Sequence, residues 1–317
     1  MTTTIFDSRK KPWTTVGHDV QNASSLEDVM LAADLNWEIE KRQVQVDGKN
    51  VPNCYSIGRS IERNFGQSDW KHFGIVTKRY QPIQNVEAFQ FLEELIGDEL
   101  EFETAGCIKW GKKTFISCKM KREWMIGDDA IENYLLCSNA HDGTSSLRYA
   151  ITPVRVRCQN MLYGALKEAQ KIKRVYSIRH FESASMRLEE ARHALGLSVA
   201  YMDNFVEFGT RAIDKAYGRD KLEGLFDVLF GKKEEKTGKA LTIRNKNIRA
   251  LIDCMDAPDL NAYHGSVWQV LNAVSDFETH VKPNTENMRE NLTGRILDGN
   301  LSLYDKTVKY FSEVLAV

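Results

Sequence analysis

Short runs of alternating apolar and polar residues dominate the chain from residue 37 to residue 156. Such alternation is typical of half-buried β-strands, and glycine-containing turns between the runs predict antiparallel hairpins. The predicted hairpins turn at Asp47-Gly48, at Gly111 and at the loop around Gly143. The strand-like runs lie at 37–40, 44–46, 51–57, 73–76, 100–108, 114–120, 134–137 and 147–156.

Helical periodicity accompanies these strands and then replaces them. Ser25 and Asp28 form a capping-box pattern before an apolar stripe, and Asn85 is placed to cap a second helix whose apolar positions continue to Ile96. From 183 to about 217, apolar residues recur at steps of three and four, which predicts one long amphipathic helix. Further helices are predicted at 243–255, 264–281 and 301–315.

These patterns predict an α+β fold: a mainly antiparallel sheet built of hairpins with a packed helix, followed by a helical C-terminal region. We divide the chain into an irregular N-terminal arm (1–24), an α+β core domain (25–182) and the helical C-terminal region (183–317). Within the last region, the charged and glycine-punctuated stretch 231–239 is interpreted as a linker.

Composition excludes several classes of protein. The 317 residues carry 43 Lys and Arg against 44 Asp and Glu, so any charge-driven function must come from local patches. The six cysteines form no CxxC pair, which argues against a zinc ribbon or a thioredoxin-like site. The N-terminal residues lack a signal-peptide core, and no apolar run is long enough to span a membrane. We therefore expect a cytoplasmic protein with no membrane partner.

The strongest local charge lies between residues 148 and 180, where eight Lys or Arg residues accompany a single acid, Glu168. Cations that follow phosphates and aromatic rings that stack on bases are typical of single-strand binding. The tyrosines at 149, 163 and 176 are the predicted stacking residues. The predicted nucleic-acid contacts are Arg148, Arg155, Arg157, Asn160, Tyr163, Lys167, Lys171, Lys173, Arg174 and Arg179.

The arrangement of these cations follows from local periodicity. If Arg155 and Arg157 share a strand, the two-residue period places them on one face, and Lys167, Lys171 and Arg174 would line one stripe of a helix. The alternative is a solvated helix face with two arginines that pair with acids elsewhere in the core. Two smaller basic clusters precede this segment, one at 109–122 with a hairpin tip, and one at 59–79 near Trp70.

Asn139, His141 and Asp142 form an alternative site at the end of a predicted strand. His and Asp can act as a general base and its orienting group, or can ligate a metal. Adjacent residues on an extended chain point to opposite faces, however, so the competing interpretation is a turn that closes a hairpin. No Walker A, GxGxxG, GxSxG or HExxH motif occurs. We name no catalytic residue, no cofactor and no metal ligand.

Several blocks of sequence resemble one known family: 37–40, 80–89, 103–106, 134–145, 152–160 and 265–277. These blocks are similar to those of the phage/plasmid-like proteins of domain-of-unknown-function family 932 (DUF932). The N-terminal block 13–18 differs, because it reads WTTVGH where family members usually carry a Trp-His-Gly-Leu-Gly-like segment. The resemblance implies a mobile genetic element and a cytoplasmic protein, and it implies no reaction.

Charge pattern and resemblance together predict a single-stranded DNA-binding protein of a phage or plasmid. We expect a homo-oligomer that acts in DNA annealing or recombination without a chemical step, because phage annealing proteins resemble this plan of small antiparallel sheets backed by helices. One alternative is an enzyme that processes nucleic acids or nucleotides near His141 and Asp142. Another is a protein-interaction module whose basic segment binds an acidic partner.

Overall fold

The computed structural model of the protein describes residues 10–62, 68–97, 99–143, 147–157, 160–161, 175–178 and 184–315. Its strands are β1 (His18–Asp19), β2 (Glu40–Val46), β3 (Lys49–Glu62), β4 (Ser68–Val76), β5 (Leu100–Ile108), β6 (Lys113–Met120), β7 (Trp124–Ile126), β8 (Asp129–Ala140), β9 (Leu147–Arg155), β10 (Asn160–Met161) and β11 (Val175–Ile178). Its α-helices are α1 (Leu26–Ala32), α2 (Asn85–Phe89), α3 (Ala184–Asp214), α4 (Leu222–Phe230), α5 (Gly238–Met255), α6 (Val267–Asp276), α7 (Glu286–Leu297) and α8 (Ser302–Leu315).

Two antiparallel sheets are built from these strands. The larger has the order β1-β5-β6-β8-β9-β10, with β11 also paired to β9 and β7 paired to β8, and the smaller has the order β2-β3-β4. The helical region follows the strands in the sequence. The α+β class with hairpin-built antiparallel sheets and a helical C-terminal region is therefore confirmed.

The hairpins were predictable because their turns carry local signals. Asp47 and Gly48 both adopt positive φ, as a two-residue hairpin turn requires, and Val46 pairs with Lys49 on either side. The β5–β6 and β8–β9 pairs are likewise antiparallel neighbours. The predicted capping box of α1 is also present, with the Ser25 hydroxyl accepting the Asp28 N–H.

Two helical predictions need correction. Asn85 does not cap α2: Gln84 precedes the helix, and the buried Asn85 side chain donates to the Leu35 carbonyl at 2.9 Å. The helix is also short, since a 3-10 turn over Gln90–Glu94 replaces its C-terminal half. The long helix is confirmed as α3, whereas α4 and α7 had not been predicted.

The N-terminal arm is not irregular from residue 10 onward. Trp13 is fully buried, a 3-10 helix covers Pro12–Thr15, and β1 adds to the edge of the main sheet by pairing with β5. Gly17 makes this possible, because a Cβ at that position would lie 2.6 Å from Thr104 Cγ2. The arm is therefore part of the folded body that carries the site described below.

The stretch 231–239 connects α4 to α5 through a 3-10 turn over Lys233–Glu235. The buried Arg244 side chain holds this connection, because it donates to the Gly231 carbonyl at 2.8 Å and pairs with Glu223 and Asp227. One continuous hydrophobic cluster extends from Trp13 to Leu315.

The smaller sheet has a hydrophobic cluster of its own, formed by Ile39, Ile57, Phe73 and Val76. Trp37 packs against that cluster from outside the sheet, and Asp142, just after β8, lies against β4, where Gly74 approaches its backbone. No helix in the described part of the chain is long and apolar enough to cross a bilayer.

Candidate functional site

Arg155, the central predicted phosphate contact, lies inside the protein. Its side chain is 0% exposed and forms ion pairs with Asp129 at 2.7 Å and with Asp259 at 2.5 Å. The Trp268 indole N–H donates to the same Asp129 carboxylate at 3.1 Å. Arg155 therefore joins the sheet to the helical region, and the prediction that it contacts phosphates is wrong, because no ligand can reach a fully buried guanidinium.

The expected pairing of Arg155 and Arg157 on one strand face is also not found. Strand β9 ends at Arg155, and Arg157 lies in the turn that follows, where its side chain is exposed. Arg148 is partly exposed and pairs with Asp298 at 2.6 Å. Tyr149, a predicted base-stacking residue, is buried against Phe91 with ring centroids 5.0 Å apart.

The rest of the basic segment cannot be placed. Asn160 belongs to β10 through its backbone pairing with Arg155, and its side chain lies outside the described residues. The predicted contacts whose backbone also lies outside the described residues are Tyr163, Lys167, Lys171, Lys173, Arg174 and Arg179.

His141 forms a buried polar cluster with Asn85 and Thr114, and the buried Asn139 side chain donates separately to the Ile83 carbonyl at 3.4 Å. His141 Nε2 lies 2.9 Å from Asn85 Oδ1, and the Thr114 hydroxyl donates to the same oxygen at 3.2 Å. The His141 ring also packs edge-on against Trp37, with centroids 5.7 Å apart. This cluster fixes the smaller sheet and α2 against the main sheet. With His141 1% exposed, it offers no surface to a substrate.

Among the described side chains, no group of three or more His, Cys, Asp or Glu residues is arranged to hold a metal ion. Asp142 is only half-buried, but it lies on the β4 side of the loop, where it raises the pKa of Tyr80 in addition to the larger effect of that tyrosine's burial. His141 thus packs inside the protein, and Asp142 follows the end of β8.

A different feature stands out on the surface: the turn Lys109–Gly111 between β5 and β6, here called the Trp110 turn. Trp110 is 69% exposed, unlike any other tryptophan among the described residues, and Lys71 Nζ lies 5.1 Å from its ring centroid. Lys109, Trp110 and Gly111 all have positive φ, at 52°, 64° and 108°. For the two non-glycine residues this conformation costs about 1–2 kcal/mol each.

Packing below the Trp110 turn holds this unfavourable backbone in place. A Cβ at Gly111 would lie 2.9 Å from the Trp37 ring and 3.0 Å from Phe73, so the glycine allows the turn to pack directly on the smaller sheet. The Lys109 N–H donates to the Glu290 carboxylate of α7. A strained turn that is held from two sides and displays a large aromatic ring is typical of functional surfaces.

Beside this turn lies a cleft of about 620 Å³, here called the Arg59 cleft. Its walls come from four parts of the chain: residues 15–17 of the arm, Arg59 of β3, Cys107 and Trp110, and the first turn of α7 with Glu286, Asn287, Arg289 and Glu290. Gly17 and Gly106 are in close backbone contact here, since a Cβ on Gly106 would lie 2.9 Å from the Gly17 Cα.

Arg59 is the most unusual group in the cleft. It is 9% exposed, its guanidinium carbon lies 4.3 Å from the Trp37 ring centroid, and its Nε has no hydrogen-bond partner among the described residues. The Cys107 thiol lies close enough to Arg59 for the arginine's charge to affect the thiol's pKa. Burial raises the pKa of Cys107, and the positive charge of Arg59 partly opposes that rise.

The sequence held only part of the signal for this site. Arg59 and Lys71 belong to one of the two smaller basic clusters, and Lys109 belongs to the other. The structure brings these clusters together. Trp110 was missed because a lone aromatic residue beside a predicted hairpin tip reads as an ordinary strand-end residue. The contribution of α7 was missed because that helix itself was not predicted.

A family model described as "Domain of unknown function (DUF932)" matches residues 72–306 of the chain. The matched range includes the Trp110 turn and α7. It begins at His72, so Lys71, Arg59 and residues 15–17 lie outside it. No curated protein and no solved structure matches the chain at a significant level.

Proposed function

The protein belongs to the DUF932 family, whose description assigns no activity, and from the geometry of the Trp110 turn we propose that it binds single-stranded nucleic acid. One observation carries the proposal: an indole ring that is 69% exposed and held rigidly by a strained turn. Every base has a π-face, so an exposed aromatic ring can stack on the bases of a single strand without regard to sequence.

The charges around this ring suit a polyanion. Lys71 lies over the indole, Lys109 is exposed beside it, and Lys112 is half-exposed immediately before β6. Lysines next to a stacking ring can follow the backbone phosphates on either side of the stacked base. Because the whole chain has a formal charge of −1, this local arrangement is the kind of patch on which a charge-driven function would depend.

Stacking is tested with Trp110→Ala and a matched control, Met125→Ala, which truncates another apolar side chain that is 52% exposed. Fluorescence anisotropy of a labelled oligothymidylate measures the affinity of each variant. Loss of one stacked base costs about 1–3 kcal/mol, so Trp110→Ala is expected to weaken binding about 5- to 150-fold. Trp110→Phe should keep part of the affinity. Equal binding by wild type and Trp110→Ala contradicts the proposal.

The electrostatic part is tested with Lys71→Gln against Lys246→Gln, an exposed lysine of α5. Each phosphate contact contributes about 0.7 to the slope of log affinity against log salt for a single strand. The slope should therefore become shallower by about that amount for Lys71→Gln and stay unchanged for Lys246→Gln. A slope that is the same for both variants would remove Lys71 from the site.

Further parts of this proposal come from the sequence. DNA as the nucleic acid, a homo-oligomer, strand annealing, a phage or plasmid context and a cytoplasmic location remain predictions. Arg157 is a member of the predicted basic segment whose described side chain is exposed and can therefore contribute to such a surface. Light scattering with and without oligonucleotide, at low and high salt, tests assembly. A mass that stays that of a monomer throughout would contradict the oligomer.

A further inference from the structure

Arg59 carries a positive charge on a side chain that is largely buried in the wall of the cleft. Among the residues that the structure describes, no carboxylate pairs with it and no hydrogen bond leaves its Nε. A buried charge without a partner is costly, and native proteins almost always provide an acid or a carbonyl. Here the guanidinium lies over the Trp37 ring, which attracts the cation but supplies no acceptor atom.

The residue directly opposite Arg59 makes this imbalance larger. Arg59 on β3 is paired with Lys71 on β4, so the two cations share one face of the smaller sheet. Like charges at directly opposed positions are destabilising. Two adjacent cations on the same sheet face, one buried and one beside an exposed indole, are the arrangement expected where an anion supplies the missing charge.

Depth separates Arg59 from the other charges of the cleft. Glu286 and Arg289 are exposed on the first turn of α7, where water screens both, and the Glu290 carboxylate accepts the Lys109 N–H. Arg59 lies deeper, beside the half-buried Cys107. Two arginines and two glutamates therefore line the cleft, and among these four charged groups the Arg59 guanidinium is the one held away from water at its base.

The chemistry of Arg59 and Trp110 indicates the kind of anion. A guanidinium offers a planar fork of N–H donors that suits the oxygens of a phosphate. Trp110 lines the same cleft and provides a face on which a base can stack. We propose that the Arg59 cleft binds the phosphate of a nucleotide unit, with its base on Trp110. The stacking of the base on Trp110 rests on the proposed function. The binding of the phosphate does not, because it is argued from Arg59 alone.

The test compares Arg59→Met, which removes the charge and keeps most of the volume, with Arg59→Lys and with the control Arg42→Met. Arg42 is exposed on the smaller sheet, stacked on Trp70 at 4.0 Å and paired with Glu40. Replacing an unpaired buried charge by an apolar side chain should not destabilise the fold. Thermal unfolding of each variant without ligand checks this directly.

Three ligands are titrated at constant ionic strength: inorganic phosphate, thymidine monophosphate and oligothymidylate. Wild type and Arg42→Met should gain thermal stability with each ligand, as binding to the native state requires. Phosphate should no longer raise the thermal stability of Arg59→Met, and this variant should bind thymidine monophosphate and oligothymidylate about 10-fold or more weakly. Arg59→Lys should recover part of the affinity. A much higher affinity for the oligonucleotide than for the monophosphate identifies a strand as the source of the phosphate. Equal affinities identify a free nucleotide.

The outcomes separate this inference from the proposed function. If phosphate protects wild type but not Arg59→Met while no oligonucleotide binds, the cleft is a phosphate site and strand binding fails. If oligonucleotides bind through Trp110 while Arg59→Met and Arg42→Met behave alike toward all three ligands, the phosphate site is overturned and strand binding stands.

Discussion

Arg155→Met separates a structural arginine from a DNA-binding one, because the fold and the basic sequence pattern make opposite predictions. Arg155 pairs with Asp129 and Asp259 while fully buried, and Asp129 is itself 0% exposed. Removal of one partner from a buried ion pair leaves the other charge uncompensated and costs about 3–5 kcal/mol. Part of this cost should disappear in Arg155→Met combined with Asp129→Asn, where the Trp268 N–H keeps an acceptor.

Urea unfolding followed by circular dichroism measures this cost. With a denaturant slope of about 3 kcal/mol/M, the expected loss lowers the unfolding midpoint by about 1–1.7 M. The matched control is Arg157→Met two residues away, which is exposed and should change stability by less than about 0.5 kcal/mol. A stable Arg155→Met protein with weakened oligonucleotide binding would refute the structural role and restore Arg155 as a phosphate contact.

Three further predictions concern the Arg59 cleft. Glu286→Gln removes an exposed acid from its rim and should strengthen phosphate binding about twofold, measured by thermal shift at low salt. Burial raises the pKa of Cys107, so mass spectrometry should show that its thiol is alkylated more slowly than free cysteine at neutral pH. The two alkylation rates should approach each other as the pH rises, and bound phosphate should lower the Cys107 rate further. Gly17→Ala places a Cβ 2.6 Å from Thr104 Cγ2 and should lower the unfolding midpoint, because the arm must move away from β5.

The elements that sequence predicted well are those with local signals. The Asp47-Gly48 turn, the Ser25–Asp28 capping box and the periodicity of α3 each act within a few residues, and all three are present. Asn85 shows the limit of such reasoning. Its position suited a helix cap, but its side chain is instead part of the buried cluster with His141, because an unpaired polar group between two sheets costs more than an uncapped helix end.

Charge patterning failed where it ignored burial. Arg155 and Arg157 look equivalent in sequence, yet one lies at the end of a buried strand and the other in an exposed turn. What distinguishes them is the position of Asp129 and Asp259, 26 residues before and 104 residues after Arg155. A pattern of neighbouring residues carries no information about partners so distant in the sequence. A run of cations therefore predicts a binding surface only when the positions of the acids that could pair with those cations are also known.

The same reasoning gives Arg59 its significance. Arg155 and Arg244 are buried arginines of this chain, and each is matched by two acids, Asp129 with Asp259 and Glu223 with Asp227. Arg59 is comparably buried and is matched by none among the described residues. The protein therefore neutralises its buried guanidinium groups where they hold elements together. Among the described residues, the buried arginine without a paired acid, Arg59, also lines a cleft beside an exposed tryptophan, which is the difference expected between a structural arginine and a ligand-binding one.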